Sequence, residues 1–386
     1  MDEAPPRILH LHSGFDLGGK EARAVRLMNL WGRRAHHTVV SADHAAMGAR
    51  AAIAPRVPCD FPMEAAPSLR GRPDLRRYVA WVRYMRGFDL VLTYNWGAMD
   101  AVMAHRLFSP LMRLPPLIHH EDGFNEDEAE RLKPARNAFR RLALTGATAL
   151  VVPSQRLREI ALHDWKQPET RVHMIPNGID VDAYARPPAP DAIPGLVREP
   201  GGVVVGTLAG LRAVKNLPRL VRAVAPLGQR ARLVIVGEGP ERAAIQAEAR
   251  RLGVEVPLLP GFIANPWNYI GLFDIFALSS DSEQFPISLI EAMAAGLPVA
   301  ATGVGDIAAM VAEENVPFIV DPVDEQALAT AIARLADEPA LRRTIGAANR
   351  IRAATLYREA EMVARYATLY DRAMGRPGAL GEPAQA

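Results

Sequence analysis

Short apolar runs recur along the chain at residues 8–12, 38–41, 90–94, 117–120, 150–153 and 172–175, and again at 203–211, 233–236, 275–278 and 298–301. Amphipathic segments separate them, the first carrying Ala24, Val25, Leu27, Met28 and Leu30 at helical spacing. Strand-sized runs alternating with helix-sized ones are the βα rhythm of parallel sheets. Within residues 286–296 the chain is apolar almost all round, which predicts a buried helix. Pro286 suits its first turn and Gly296 the residue just past its end. Long Ala- and Arg-rich helices are expected from 325 to about 374. The stretch Arg186-Pro187-Pro188-Ala189-Pro190 has few means of folding alone and reads as a connector between two βα halves. Its position suits the length, since 386 residues are too many for one ordinary core.

Composition narrows the class. Hydrophobic residues make up 49% of the chain and charged residues 23%, as in globular proteins. A formal charge of +2 gives no argument for nucleic acid. The single cysteine, Cys59, rules out an internal disulfide and any Cys-based metal site. Residues 1–6 are acidic and Pro-rich, unlike a signal peptide, and no window approaches the length of a membrane span. A cytoplasmic location is therefore expected. Heavy use of Arg and Ala, with Lys20, Lys133, Lys166 and Lys215 the only lysines, correlates with a GC-rich bacterial genome.

Candidate chemistry gathers at loops that follow apolar runs. Glu291 lies inside the apolar helix, where an ionised carboxylate is costly unless paired. Glu283 lies just before that helix, near its unpaired N–H groups and the positive end of its dipole. Such an end, with two carboxylates nearby, can hold a ligand bearing both phosphates and hydroxyls. A salt-bridged core Glu and a capping Glu would give the same spacing. Gly18-Gly19-Lys20-Glu21 lies between the first strand and the first helix, a phosphate-cradle layout. Residues 14–20 satisfy G-x-x-x-x-G-K, but Glu21 replaces the Ser or Thr that a P-loop uses for magnesium. His119, His120, Glu121 and Asp122 crowd the carboxyl end of a strand, where open α/β sheets place ligands. The two imidazoles cannot point the same way, because neighbouring side chains on a strand alternate. Arg212 and Lys215 sit in a loop after another strand. Gly237-Glu238-Gly239-Pro240 does not complete G-x-G-x-x-G, which argues against a nicotinamide site. Two basic segments, one with Arg76, Arg77, Arg83 and Arg86 and one with Arg131, Lys133, Arg136, Arg140 and Arg141, are solvated helix faces or a surface for anionic lipid.

Glu283, seven residues, then Glu291 and Ala295-Gly296-Leu297-Pro298-Val299-Ala300 resemble the E-x7-E motif of retaining glycosyltransferases with the GT-B fold, most of all family 4 (glycosyl transferases group 1). Gly18-Gly19, Asn177-Gly178-Ile179-Asp180, Lys215-Asn216 and Gly237-Glu238-Gly239-Pro240 extend the resemblance over most of the chain. The resemblance implies an α/β chain of two doubly wound, Rossmann-like domains facing across a cleft. Residues 1–183 would bind acceptor, 184–200 would link, and 201–357 would bind a nucleotide sugar. Residues 358–374 would pack back on the first domain and 375–386 would be a disordered tail. The implied reaction moves a sugar from a nucleotide-sugar donor to a saccharide or lipid-linked acceptor with retention, in bacterial surface polysaccharide or glycolipid synthesis. Contact with an anionic membrane is a further expectation.

Roles follow by the same resemblance. Glu291 would take the ribose hydroxyls, and Glu283 with the N–H groups of Gln284, Phe285 and Ile287 the sugar hydroxyls and phosphates. Arg212 and Lys215 would face the diphosphate, although the usual Arg, five residues before the Lys, is Gly210 here. Gly18 and Gly19 would let backbone approach the donor, and backbone near Phe262 would read the base. The usual His before Gly123 is Asp122. His120 is expected to take its role, with His119 or Asp122 as substitute. Two cations and a helix end can neutralise a diphosphate, so no metal and no cofactor are expected. An epimerase of the same architecture and a non-catalytic nucleotide-sugar-binding protein remain alternatives.

Overall fold

The computed structural model describes residues 4–62, 64–71, 73–124, 128 and 132–381. The chain divides into two compact units, Met1–Asn177 with Ala360–Ala386, and Gly178–Glu359.

In the first unit the apolar runs become β1 (Arg7–His12), β2 (His36–Ser41), β3 (Cys59–Asp60), β4 (Leu90–Tyr94), β5 (Leu117–His120), β6 (Ala149–Val152) and β7 (Val172–Met174). Their order across the sheet is β3-β2-β1-β4-β5-β6-β7, and each neighbouring pair is parallel. Parallel neighbours need long crossovers. Helices α1 (Gly19–Trp31), α2 (Leu75–Met85), α3 (Met99–Phe108), α4 (Pro134–Ala143) and α5 (Gln155–His163) lie on them. Asp74 and Ser154 cap α2 and α5 by accepting from the backbone N–H groups of Arg77 and Leu157. Trp81 and Trp165 fill the core on one face of the sheet. On the other, the C-terminal helix Glu359–Met374 lays Met362, Val363, Tyr366 and Tyr370 against Ile8, Tyr94 and Ile118.

The second unit repeats the plan with β8 (Val203–Leu208), β9 (Ala231–Val236), β10 (Leu258–Gly261), β11 (Ile275–Leu278), β12 (Val299–Thr302) and β13 (Ile319–Val320). These are ordered β10-β9-β8-β11-β12-β13 and are again parallel. Its helices are α6 (Leu217–Val224), α7 (Arg242–Leu252), α8 (Ile287–Ala294), α9 (Ile307–Met310), α10 (Glu325–Asp337) and α11 (Pro339–Leu356). Pro286 stands at the N-cap of α8 instead of in its first turn, and Gly296, at φ 77°, follows its end.

Three expectations about organisation need correction. The units exchange the chain at 177/178 and 359/360 instead of at 183 and 357. Residues 184–200 are no free linker: Tyr184 and Ile193 are buried in the second unit's core, and Ala189 donates its N–H to the Asn268 carbonyl at 2.8 Å. The segment 375–381 is tied down, because Leu380 is fully buried and its N–H donates to Asp371. Residues 382–386 of the expected tail lie outside the described residues. The basic segments also change meaning. Arg77 is engaged by Asp100, and Arg136 and Arg140 by Glu128. Arg131 lies outside the described residues. Among the described residues, no helix is long and apolar enough to cross a membrane.

Candidate active site

In an open parallel sheet the crevice lies where the strand order reverses, outside the carboxyl ends of the two central strands. In the second unit those strands are β8 and β11, and most of the motif residues stand on the loops that leave them.

The two loops are stitched together. Asp281 donates its N–H to the Val214 carbonyl at 2.9 Å, and Ser279 Oγ donates to the Lys215 carbonyl at 3.0 Å. Asn216, held left-handed at φ 41°, donates through Nδ2 to Asp281 and caps α6. Arg219 from α6 pairs with Asp281 at 2.7 Å. Across this seam the Lys215 ammonium donates to Glu283 Oε1 at 2.5 Å, and Ser280 Oγ donates to the same oxygen at 2.8 Å. The expected phosphate cation and the first Glu of the motif are thus one half-buried pair. Arg212 is exposed; its backbone N–H donates to the Gly210 carbonyl at 2.8 Å, and its guanidinium makes no hydrogen bond or ion pair among the described residues. Its Nε passes 3.6 Å from where a Cβ on Gly210 would stand, so its head occupies the neighbourhood of the missing Arg.

The N–H groups of Gln284, Phe285 and Ile287 have no partner among the described residues. They lie at the amino end of α8, whose dipole adds to their attraction for anions. Gly305, at φ 60°, lets the loop after β12 pass under them, since a Cβ there would press into the Glu283 carbonyl group.

Glu291 sits one helical turn deeper. Tyr184 donates its hydroxyl to Oε1 at 2.9 Å, and no other donor reaches the carboxylate among the described residues. The residue is half-buried, yet its carboxyl group is enclosed. Burial raises its pKa to about 7, against the opposing hydrogen bond from Tyr184. Phe262, after Gly261 at the end of β10, is largely exposed, and Trp267 is partly so.

In the first unit the order reverses between β1 and β4, and the residues at their carboxyl ends bond chiefly to one another. Gly18 is the N-cap of α1 in an extended conformation (φ −121°, ψ 177°), so the glycine pair is not there for left-handed backbone. Lys20 and Glu21 form an ion pair, and burial lowers the Lys20 ammonium to about 8. Arg23 grips Asp122 with both ends of its guanidinium, Nη2 donating to Oδ2 at 2.9 Å, and also donates to Asn177 Oδ1 at 3.1 Å. Burial pushes the Asp122 carboxyl up, but the Arg23 charge and hydrogen bonds outweigh it and hold the carboxyl below its ordinary range.

The expectation for His120 and His119 is not met here. His120 Nδ1 lies 3.3 Å from the Thr93 carbonyl, which can only accept, so Nε2 accepts from the Tyr370 hydroxyl at 2.8 Å. Burial drives its pKa down to about 3. His119 points to the opposite face, 2.8 Å from Thr93 Oγ1, with Nε2 3.7 Å from Glu121. Both residues are closed to solvent, and of the three candidates Asp122 keeps the most exposure.

Sequence reasoning missed Tyr184, Ser280, Arg23 and Asn177 as parts of these clusters. The expectation of no metal also took the chain to lack an Asp-x-Asp triplet of the kind metal-dependent glycosyltransferases use, and Asp180-Val181-Asp182 has that spacing. Arg358 pairs with Asp182 at 2.9 Å.

Two all-parallel units, each with a polar cluster at its point of strand reversal, define a two-domain α/β protein of the GT-B type. Comparison with known proteins gives the family. The model described as Glycosyltransferase Family 4 matches residues 17–183, and that described as Glycosyl transferases group 1 matches residues 194–352. The chain belongs to the family 4 glycosyltransferases. It is 29% identical over 326 residues to EpsF of Bacillus subtilis (strain 168), covering 77% of this chain and 79% of that one. It is 28% identical over 193 residues to the lipopolysaccharide core biosynthesis glycosyltransferase LpsD of Rhizobium meliloti (strain 1021), covering 50% and 56%. Among solved structures, Anabaena Alr3699/HepE in complex with UDP superposes with a TM-score of 0.74 at 20% identity, over 95% of this chain and all of that one.

Proposed function

We propose that this glycosyltransferase takes its sugar from a nucleoside diphosphate sugar and delivers it, with retention of configuration, to a saccharide or lipid-linked acceptor of the bacterial surface. The observation that carries the reading is the Lys215–Glu283 pair at the β8/β11 reversal, beside three N–H groups at the start of α8 that have no partner among the described residues. In this reading the diphosphate displaces Glu283 from Lys215. The ammonium, with Arg212 and the helix end, then meets the charge that develops as the sugar departs, where fixed cations help most. Glu283, released, accepts from sugar hydroxyls, and Glu291 accepts from the ribose. The cations are supplied by the chain, so the reaction proceeds without a metal. Asp122 takes the part of the usual His in this reading. A bacterial surface glycan is favoured by the name of the relative LpsD. The work is placed in the cytoplasm, and the anionic-membrane contact stays with the exposed Arg76, Arg83 and Arg86 of the α2 segment.

The epimerase reading relied on residues 119–122 converging, and the two imidazoles diverge. The test is to supply UDP-, GDP- and ADP-sugars with bacterial glycolipid acceptors and follow the new linkage by proton NMR. An anomeric configuration matching the donor is expected. An inverted product would refute retention, and an isomerised donor without transfer would revive the epimerase.

A further inference from the structure

Tyr184 reaches α8 from a short turn, Ala183–Ala185, six residues past the point where the chain enters the second unit. Its ring is buried with Val181, Ile193, Tyr269 and Leu289, and meets Trp267 edge-on at 6.4 Å. A phenylalanine ring would serve that packing equally well. What tyrosine adds is a hydroxyl, and a buried hydroxyl is unfavourable unless bonded. Its acceptor is Glu291 Oε1, at 2.9 Å.

We propose that Tyr184 is the positioning residue for the donor's ribose: it fixes the Glu291 carboxylate in the orientation that accepts from the 2′- and 3′-hydroxyls. The proposal rests on the nucleotide-sugar reading above. An ionised carboxylate offers about four acceptor sites on its two oxygens. Tyr184 takes one, and no other group among the described residues takes the rest. The remaining sites suit a pair of neighbouring hydroxyls. Glu291 is carried by a helix whose Leu289, Ile290, Ala292 and Met293 are fully buried, so its backbone cannot shift to follow a ligand. The rotamer of the side chain is the one freedom left, and Tyr184 removes it. The hydroxyl has a second effect in the same direction: burial pushes the Glu291 carboxyl up, and a donated hydrogen bond favours the ionised form that accepts best.

Isothermal titration with UDP, GDP and ADP, each beside its 2′,3′-dideoxy form, compares the wild type with Tyr184→Phe. Expected is a loss of about tenfold in affinity for the ribonucleotide that binds, roughly the value of one hydrogen bond to a charged group. The dideoxy form, which has nothing for Glu291 to accept from, is expected to bind both proteins equally within about twofold. A melting temperature for Tyr184→Phe near that of the wild type excludes simple unfolding. Equal losses for both forms would show that Tyr184 only shapes the pocket, and no loss would overturn the proposal outright. If the wild type binds none of the three, the nucleotide reading falls and the proposal with it. Discrimination between ribo and dideoxy forms that Tyr184→Phe leaves intact removes this proposal alone.

Discussion

The two units place polar side chains at the same topological position and use them differently. At the β8/β11 reversal the groups are half-buried, and among the described residues part of their bonding capacity is unspent: three N–H groups, most of the Glu291 carboxylate and the Arg212 guanidinium. At the β1/β4 reversal most of the groups are spent on each other, the exception among the described residues being His12 at the end of β1, whose two ring nitrogens are buried without a hydrogen-bond partner. Arg23 closes on Asp122 and Asn177, Lys20 on Glu21, and His120 on Tyr370. The difference shows that a strand end in a parallel sheet is only an opportunity. Unspent donors and acceptors leave it open to a ligand, and groups already paired hold it together.

That contrast can be broken most forcefully at Arg23. Its side chain is 4% exposed and that of Asp122 12%, so Arg23→Met leaves a carboxylate enclosed without its partner. Breaking such a pair from one side costs about 3–5 kcal/mol. Urea denaturation of Arg23→Met should register a loss of that order, and Arg23→Met with Asp122→Asn should recover most of it. A loss under about 1 kcal/mol would mean that the first cluster is as open as the second.

The mirror experiment is Lys215→Ala. The Glu283 side chain is only 9% exposed and loses its cation, but Ser280 still donates to it, so the loss of stability should stay below that of Arg23→Met. Turnover should fall by about 10²–10³-fold, the usual consequence of removing one fixed group that meets transition-state charge. Steady-state kinetics beside a thermal melt separate the two effects. A large fall in stability with near-normal transfer would assign Lys215 to architecture.

The smallest effect is a pH dependence confined to the second unit. Burial raises Glu291 from an ordinary 4.5 to about 7, while Tyr184 and Tyr269, the titratable groups facing it, remain neutral across this range. The folded state then holds a proton that the unfolded state has released. This group's contribution to stability is complete below about pH 4.5 and is lost as pH rises towards 7. A ligand that needs the ionised form works against the same proton, so nucleotide affinity should rise over that interval by a few-fold per pH unit. Glu291→Gln should flatten both trends, and taking the difference from the wild type cancels the titration of the phosphate itself. Parallel profiles for the two proteins would place the pKa of Glu291 elsewhere.

How much of this was legible in the sequence follows the range of each interaction. The motif from Glu283 to Gly296 is contiguous, and a buried helix with a carboxylate inside it could be read directly. The two-residue strand Cys59–Asp60 could not, because it has no periodicity and exists only by pairing with β2. The Pro-rich stretch was taken for a connector because composition does not reveal that Tyr184 and Ile193 complete a distant core. For His119 and His120, alternation along the strand showed that they must part. It did not show where each would go, since the partner of His120 is a tyrosine 250 residues further on.

By itself, then, the sequence determined two βα halves, the place of the donor motif and the carboxylates that carry it. Those rest on period, turn chemistry and short spacing, which are properties of neighbouring residues. Only the tertiary structure decided which polar groups were already satisfied. A hydrogen bond is settled by distance in space, and the partners of Glu291, Asp122 and His120 come from parts of the chain that sequence order keeps apart.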